Sequence, residues 1–599
     1  MRQLIRTLAA ALLFAAGLCL EAQAASTLVF KVVAVQGKTG MAGRIYAGSE
    51  SVMTLGGYGW KSIEAAREVA HRLNALADEG LRPDEVSIWT ERRTHLLMAR
   101  GERIVTVDKV VAKAQGADRA SLARAWAQNL RAQFGRSYLA AAPVLVPVGE
   151  TRATPVRGNI AGDLLVAAAA PFVSATWDKS ARQVRVLGLQ PGRTELILED
   201  RENVLRVPVR AAKYAAQLVA SIPAAVTGSP ASPELVARAA RAAVGAGLSA
   251  EPGAWISVTP SVKGTGSLWP GKSVAVPTQI SAAGPEYLSY RAMPAVPVRN
   301  EVVATGPANL LMVSNYPERL RRHGLWFEGK IKDSDSIRFL YHHVNATRDS
   351  ADLVVELWNL GEETARVQVV AGLAGPSYDE AWVGHRAASE FLVDRAANAG
   401  WVVPAPAGAA TPVVAQRMPP GSVVSGILEF RALGPANLSL RLYLAPSLSQ
   451  RLPRRIESYA ESPLLGQWHY PQPRREVRAR YEVGRDWAFI TIGDKAAPGL
   501  VAGDQLAGSY GVMYDIELDL ANPTSEAARV AVLLEPAGGP ARGALLVDGQ
   551  PVETALLSKN AEGLVARYLL APGETRRVHI QTLPQGGSNY PVRLVARPN

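Results

Sequence analysis

The chain has 599 residues, a formal net charge of +12, 48% hydrophobic residues and one cysteine. That length excludes a single small domain and predicts several packed ones. The lone Cys19 excludes a disulfide framework, so stability must come from burial. Arg2 and Arg6 precede an apolar run from Leu8 to Leu20, and Ala22-Gln23-Ala24 offers small residues at a cleavage position. This reads as a signal peptide over residues 1–24, cut near Ala24. Leu18 stands where a lipoprotein signal needs a small residue, which argues against lipidation of Cys19. No later segment is long and apolar enough for a membrane span. The expected location is therefore periplasmic or extracellular. A basic exported chain meets anionic surface polymer, polysaccharide or an envelope assembly rather than nucleic acid.

Residues 25–140 read as an α+β domain. Ile63, Ala66, Val69, Leu73 and Leu76 recur at helical spacing, with Ser62 expected as the N-cap and Gly80 as the stop. Strand-like runs follow at Val86–Thr90 and Thr94–Met98, and a second helix is expected over Ser121–Phe134. Residues 141–213 change to short alternating strands separated by turn residues. Residues 214–305 read as a mixed α/β linker domain with a helix over Pro233–Gly245. Beyond about residue 252 the pattern is β-like and dense in Pro and Gly. Residues 306–450 and 451–599 read as two related β-sandwiches. The fold class expected is mainly β, with an N-terminal α+β domain and tandem Ig-like β-sandwich modules.

The order "VPVGET" then "PFVSATWDKSARQVRVLGLQPGRTELILED" within residues 142–212 resembles the small Ig-like module at the N-terminus of secretin-type pilus-assembly proteins. The resemblance implies a β-sandwich in an envelope context and no activity; the secretin pore domain is not visible downstream. The remainder resembles exported bacterial β-sandwich proteins.

The tandem reading rests on a repeat. Asn359 and Asn522 each start the pattern N-x5-A-R-V-x-V, at Ala365-Arg366-Val367 and Ala528-Arg529-Val530. Pro420-Gly421 and Pro572-Gly573 each stand sixteen positions, counted from the glycine, before Asn437 and Asn589. Aligning both sets of landmarks requires eleven extra residues in the first copy. "SNYPxRL" also occurs twice, at 314–320 and 588–594, outside that alignment.

Gly266-Ser-Leu-Trp-Pro-Gly-Lys-Ser273 matches the written form of a phosphate-binding loop. A working loop must open a helix, whereas Val-Ala-Val-Pro277 follows, and Pro270 has no N–H to offer an anion. The stretch instead predicts a Pro-Gly turn opening a strand. No G-x-S-x-G elbow and no H-E-x-x-H occur.

Two constellations remain as candidates. His342 and His343 are neighbours and would point to opposite faces of a strand, so a metal site would need one of them with His385; ordinary strand histidines are the competing reading. Of six tryptophans in the β half, Trp382, Trp401 and Trp468 sit in turn-rich context and are candidates for stacking on sugar rings. Trp358 and Trp487 read as core. The function expected is a non-enzymatic cell-envelope protein that binds or organises surface polymer or an envelope assembly. No cofactor is expected. The alternative is a carbohydrate-active enzyme, or its binding subunit, with a carboxylate pair in a cleft.

Overall fold

The computed structural model describes residues 25–333, 335–446 and 468–599. The expected signal peptide, with Cys19 and its cleavage point, lies outside the described residues. The chain divides into two compact units, one running to Tyr214 and including Pro285–Leu288, the other made of Ala215–Gly284 and Ser289–Asn599.

The first unit opens with α+β structure. Helices α1 (Trp60–Asp78), α2 (Lys109–Gln115) and α3 (Arg119–Gly135) pack with two three-stranded antiparallel sheets around Leu73, Leu97, Leu130 and Phe134. Ser62 is not the α1 cap: the helix begins at Trp60, and the buried Ser62 hydroxyl accepts from the Tyr58 amide at 3.0 Å. Gly80 does end the helix, at a φ of 72° that glycine adopts without strain. Residues 144–212 then form a β-sandwich whose sheets enclose Val184, Val186, Leu196, Leu198 and Val207. Its inward residues alternate with polar outward ones, as a sheet with one wet face requires.

The second unit is built from helix α4 (Pro233–Gly247), helix α5 (Glu380–Ala396) and two sandwiches. The strands of the first are β1 (Leu310–Ser314), β2 (Gly324–Lys332), β3 (Ser336–Asn345), β4 (Ala351–Asn359), β5 (Ala365–Ser377), β6 (Gly400–Ala405), β7 (Ala410–Met418), β8 (Val423–Ala432) and β9 (Asn437–Ala445). Those of the second are β10 (Arg474–Glu482), β11 (Ala488–Ile492), β12 (Met513–Ala521), β13 (Ala528–Pro536), β14 (Ala544–Val547), β15 (Gln550–Glu553), β16 (Gly563–Leu570), β17 (Thr575–Thr582) and β18 (Val592–Pro598). In the first sandwich a sheet containing β6-β5-β8-β3-β1 faces the sheet β2-β9-β4-β7. The stretch expected as a linker domain extends the larger sheet: Ala224–Thr227 pairs with β6, and Ala295–Asn300 and Ser273–Ala283 follow. In the second sandwich β10-β12-β17-β14-β15 faces β11-β18-β13-β16. Among the described residues no helix is long and apolar enough to cross a membrane.

Strand β3 shows how the sandwiches are joined. All ten of its residues are buried. Ile337, Phe339 and Tyr341 fill the core of the first sandwich, while Leu340 joins a second core that runs on through Phe391 of α5 to Met513, Leu534 and Leu594 of the second sandwich. The central strands of the large sheet, β3, β5 and β8, are thus covered on both faces and lose the alternation of a wet sheet, which Ala295–Asn300 in its extension keeps. Arg338, 1% exposed, also points to the second sandwich. Its Nη1 donates to the carbonyls of Pro473 at 2.7 Å and Gly511 at 3.1 Å, and its Nη2 lies 3.4 Å from Glu429. Glu429 is held in turn by Arg395 of α5 at 3.2 Å and Arg431 at 3.5 Å.

The repeated asparagines are corners that tie a strand end to a neighbouring turn that crosses from one sheet to the other. Asn359 donates through Nδ2 to the carbonyls of Glu363 and Ala405, at 2.6 and 2.8 Å. Asn522 donates to those of Glu526 and Leu570, at 2.7 and 3.2 Å. Strand pairing sets Asn345, rather than Asn359, against Asn522: β3, which Asn345 ends, pairs parallel with β1 and antiparallel with β8, as β12 pairs parallel with β10 and antiparallel with β17. The match of Asn359 with Asn522 is therefore corrected. Asn345 makes the same corner as Asn522, with Nδ2 donating to the carbonyls of Asp349 at 2.9 Å and Met418 at 2.8 Å. The Pro420-Gly421 and Pro572-Gly573 turns do correspond: Gly421 N donates to the Asn345 carbonyl at 2.7 Å and Gly573 N to the Asn522 carbonyl at 2.8 Å.

Breaking a buried ion pair from one side leaves an uncompensated charge, at a cost of about 3–5 kcal/mol. Glu429→Leu is expected to destabilise the second unit by that order in urea unfolding, and Arg338→Met combined with Glu429→Leu to recover part of the loss.

Candidate functional site

The residues singled out from sequence separate into a packed seam and scattered positions. His342 and His343 leave β3 on opposite faces. His343 is fully buried, with Nε2 2.9 Å from the Ser314 hydroxyl, and burial pushes its pKa down to about 3. His342 is held down to about 4, also by burial. Both are neutral core imidazoles. His385, on α5, lies 3.0 Å from Glu553 of β15 through Nε2. Among the described residues no cluster of three or more His, Cys, Asp or Glu is placed to hold a metal ion. Between His342 and α5 runs the loop Pro584–Ser588. A Cβ on Gly586 would stand 2.6 Å from His342 Nδ1, and one on Gly384 of α5 would overlap the Gly586 carbonyl. Only glycines allow that approach, so the histidines sit in a packed joint between sandwiches.

The tryptophans do not form one surface. Trp382 is partly exposed on the first turn of α5, where its amide donates to the Asp379 carboxylate at 2.9 Å. Trp468 is half-buried against Tyr316, ring centroids 5.5 Å apart. Trp401 is core: it is 2% exposed in β6, with the Arg238 guanidinium 5.2 Å from its ring. Its turn-rich neighbourhood in sequence hid a central strand. Trp487, expected in the core, is instead 49% exposed.

A groove of about 340 Å³ lies on the outer face of the sheet β10-β12-β17-β14-β15. Strand register sets its floor. Glu476, Asp515 and Gln581 form one cross-strand row, and Arg478, Glu517 and His579 form the next. Alternation puts these side chains outward while Ile516, Leu518, Val578 and Ile580 fill the interior. The groove runs past Arg474 and is walled by Leu546 and by Gly549 of the Asp548-Gly549 hairpin turn.

Its carboxylates are compensated. Asp515 accepts from Arg474 Nε and Gln581 Nε2. Glu517 lies 3.3 Å from Arg478 and 3.8 Å from Arg577. In the next row Asp519 takes a two-point contact from Arg577, at 2.8 and 3.1 Å, which holds its pKa below the usual carboxylate range. A glycosidase acid must hold its proton near neutral pH, and the Arg577 contact does the opposite for Asp519. Asp394, pushed up to about 7 first by burial and then by Glu390, lies on α5 and lines no part of the groove. What the groove offers is a grid of fixed donors and acceptors, suited to hydroxyl groups. The sequence signal was the run of alternating charges in β10, "RREVRARYE", facing those of β12 and β17; it needed the register to become a site.

No family model matches the chain, and no curated protein matches it. Among solved structures, domains 5–6 of the S-layer protein SbsC align over 27% of this chain and 94% of their own, at 13% identity and a TM-score of 0.11. The tandem CBM22 domains of Paenibacillus barcinonensis Xyn10C align over 47% and 91%, at 7% identity and a TM-score of 0.12. The Bacteroides ovatus glucan-utilisation protein SGBP-B aligns over 51% and 95%, at 10% identity and a TM-score of 0.10. At these TM-scores neither fold nor function transfers from them.

The buried histidines carry a pH dependence of definite sign. An unfolded chain protonates His342 near its ordinary 6.5, whereas the folded chain resists until about 4. Stability from this group is therefore present above pH 6.5 and lost as the pH falls towards 4. His343, held down to about 3, adds to the loss over the same interval; urea titrations there should show a loss on the order of 3 kcal/mol from each histidine, and His342→Leu should remove its own share.

Proposed function

We propose that the protein is an exported, non-enzymatic component of the cell envelope that holds a hydroxyl-rich surface polymer in the groove of its carboxyl-terminal sandwich. The observation that carries this reading is the groove floor itself, two cross-strand rows of outward polar side chains whose acids are paired with arginine or glutamine. Such a surface, with its acids engaged in fixed pairs, is suited to binding hydroxyl groups by hydrogen bonds. Support for export comes from the leader-like residues 1–24, with their arginines ahead of an apolar run. The secretin-like pattern of residues 142–212 supports an envelope setting. The alternation of sign across the groove favours a neutral, hydroxyl-rich chain over a densely charged one.

The test is co-sedimentation of the protein from residue 25 onward with isolated cell-wall sacculi and insoluble neutral glucans, at low and high salt. The reading predicts salt-resistant pelleting with at least one of these, weakened about tenfold in Gln581→Ala with His579→Ala, and no release of reducing ends. Pelleting lost at high salt, or unchanged in the double variant, would contradict groove binding. Release of reducing ends would favour the enzyme reading.

A further inference from the structure

The sheet on the opposite side of the same sandwich, β11-β18-β13-β16, carries a second and chemically different surface. Register aligns Phe489, Val595, Leu533 and Leu564 as one apolar row across all four strands. Val595, Leu533 and Ala531 pack in a cluster of their own, separate from the sandwich interior, which places the row on the outer face. At its open end stand Trp487 and Phe489, 49% and 52% exposed, with ring centroids 6.4 Å apart. The Arg597 guanidinium lies 5.2 Å from the Trp487 ring and that of Arg593 5.9 Å from the Phe489 ring. Arg567 pairs in register with Ala531 and extends the same basic margin. Glu535 and Glu562, which meet Arg593 at 3.4 Å and Arg597 at 2.7 Å, are the acids paired into it. The margin thus keeps more cation than anion.

We propose that this face binds a carboxylated polysaccharide, with sugar rings on Trp487 and Phe489 and carboxylates on the flanking arginines. Two neighbouring aromatic faces fit the apolar faces of successive pyranose rings. A guanidinium carries five N–H donors, so Arg593 and Arg567 keep donors for a ligand carboxylate beyond their contacts with Glu535 and Asn599. A lone apolar row would fit any greasy partner; its arginine margins select an acidic one. The site is independent of the groove, being on the other sheet.

The test uses the protein from residue 25 onward in affinity electrophoresis, with polygalacturonate and its fully methyl-esterified form as probes. The esterified polymer keeps the rings and removes the charge. The expected result is retardation by polygalacturonate, at least tenfold weaker with the ester, and at least tenfold weaker in Trp487→Ala with Phe489→Ala, a change that leaves net charge untouched. Gln581→Ala with His579→Ala, in the groove, should leave this binding intact, so failure here and failure of the groove reading are distinguishable. Arg567→Gln, at an exposed position, gives a second variant if the double aromatic change lowers the melting temperature. Absent retardation, equal retardation by the ester, or full retention in the aromatic variant would overturn the proposal. So would equally aromatic-dependent binding to phosphatidylglycerol vesicles, which would identify a lipid surface instead.

Discussion

The second unit depends on one constraint: the central strands of its large sheet are buried on both faces. Strands β3, β5 and β8 each have one side in the first sandwich and the other against α5 or the second sandwich. An apolar sheet face meeting another sandwich could slide, since dispersion and the hydrophobic effect are non-directional. Arg338 removes that freedom. Leaving buried donors unanswered is costly; the Arg338 Nε has no partner among the described residues, but two hydrogen bonds of its Nη1 go to main-chain carbonyls of the second sandwich, at Pro473 and Gly511. The pair with Glu429 is therefore best understood as a device of register rather than of net stability. The glycine contacts at Gly384 and Gly586 act to the same end, by letting backbone approach backbone where a side chain would hold the layers apart.

That constraint accounts for where function can reside. The seam consumes the polar residues that looked most chemical in isolation, the adjacent histidines and His385 with Glu553. The second sandwich is covered at its junction with α5 and leaves large parts of both sheets outward. One outward face is a polar groove with its charges internally paired. The other is an aromatic row with arginine margins. The same strand order presents two unlike surfaces because β-sheet side chains alternate, so interior packing and exterior chemistry are chosen by different residues of each strand.

Much of the architecture was legible from sequence because it rests on local rules. Pro270-Gly271 forms the expected turn: Lys272 N donates to the Trp269 carbonyl at 3.1 Å, Gly271 has a φ of 76°, and strand Ser273–Ala283 follows. The Pro420-Gly421 and Pro572-Gly573 match was real because each turn closes on an asparagine, Asn345 or Asn522, that answers main-chain groups the fold leaves open at a corner. Helix α5 was missed. It is buried along most of its circumference, at Val383, Ala387, Ala388, Phe391 and Leu392, so it lacks the single apolar stripe that marks a surface helix. Trp401 and Trp487 were exchanged for a related reason. Burial there is decided by which sheet face another layer covers, a tertiary fact that neighbouring residues in sequence do not encode. The groove was hidden likewise, since its rows come from strands about forty and then sixty residues apart that only pairing brings together.

The central claim, that the outer face of β10, β12 and β17 receives a surface polymer, is most directly tested by hydrogen–deuterium exchange on the protein alone and with the cell-wall polymer or glucan that retains it. The account predicts added protection concentrated in residues 474–480, 515–519 and 577–581, with the seam at 584–588 unchanged. Protection confined to other segments, or none despite saturating polymer, would contradict it.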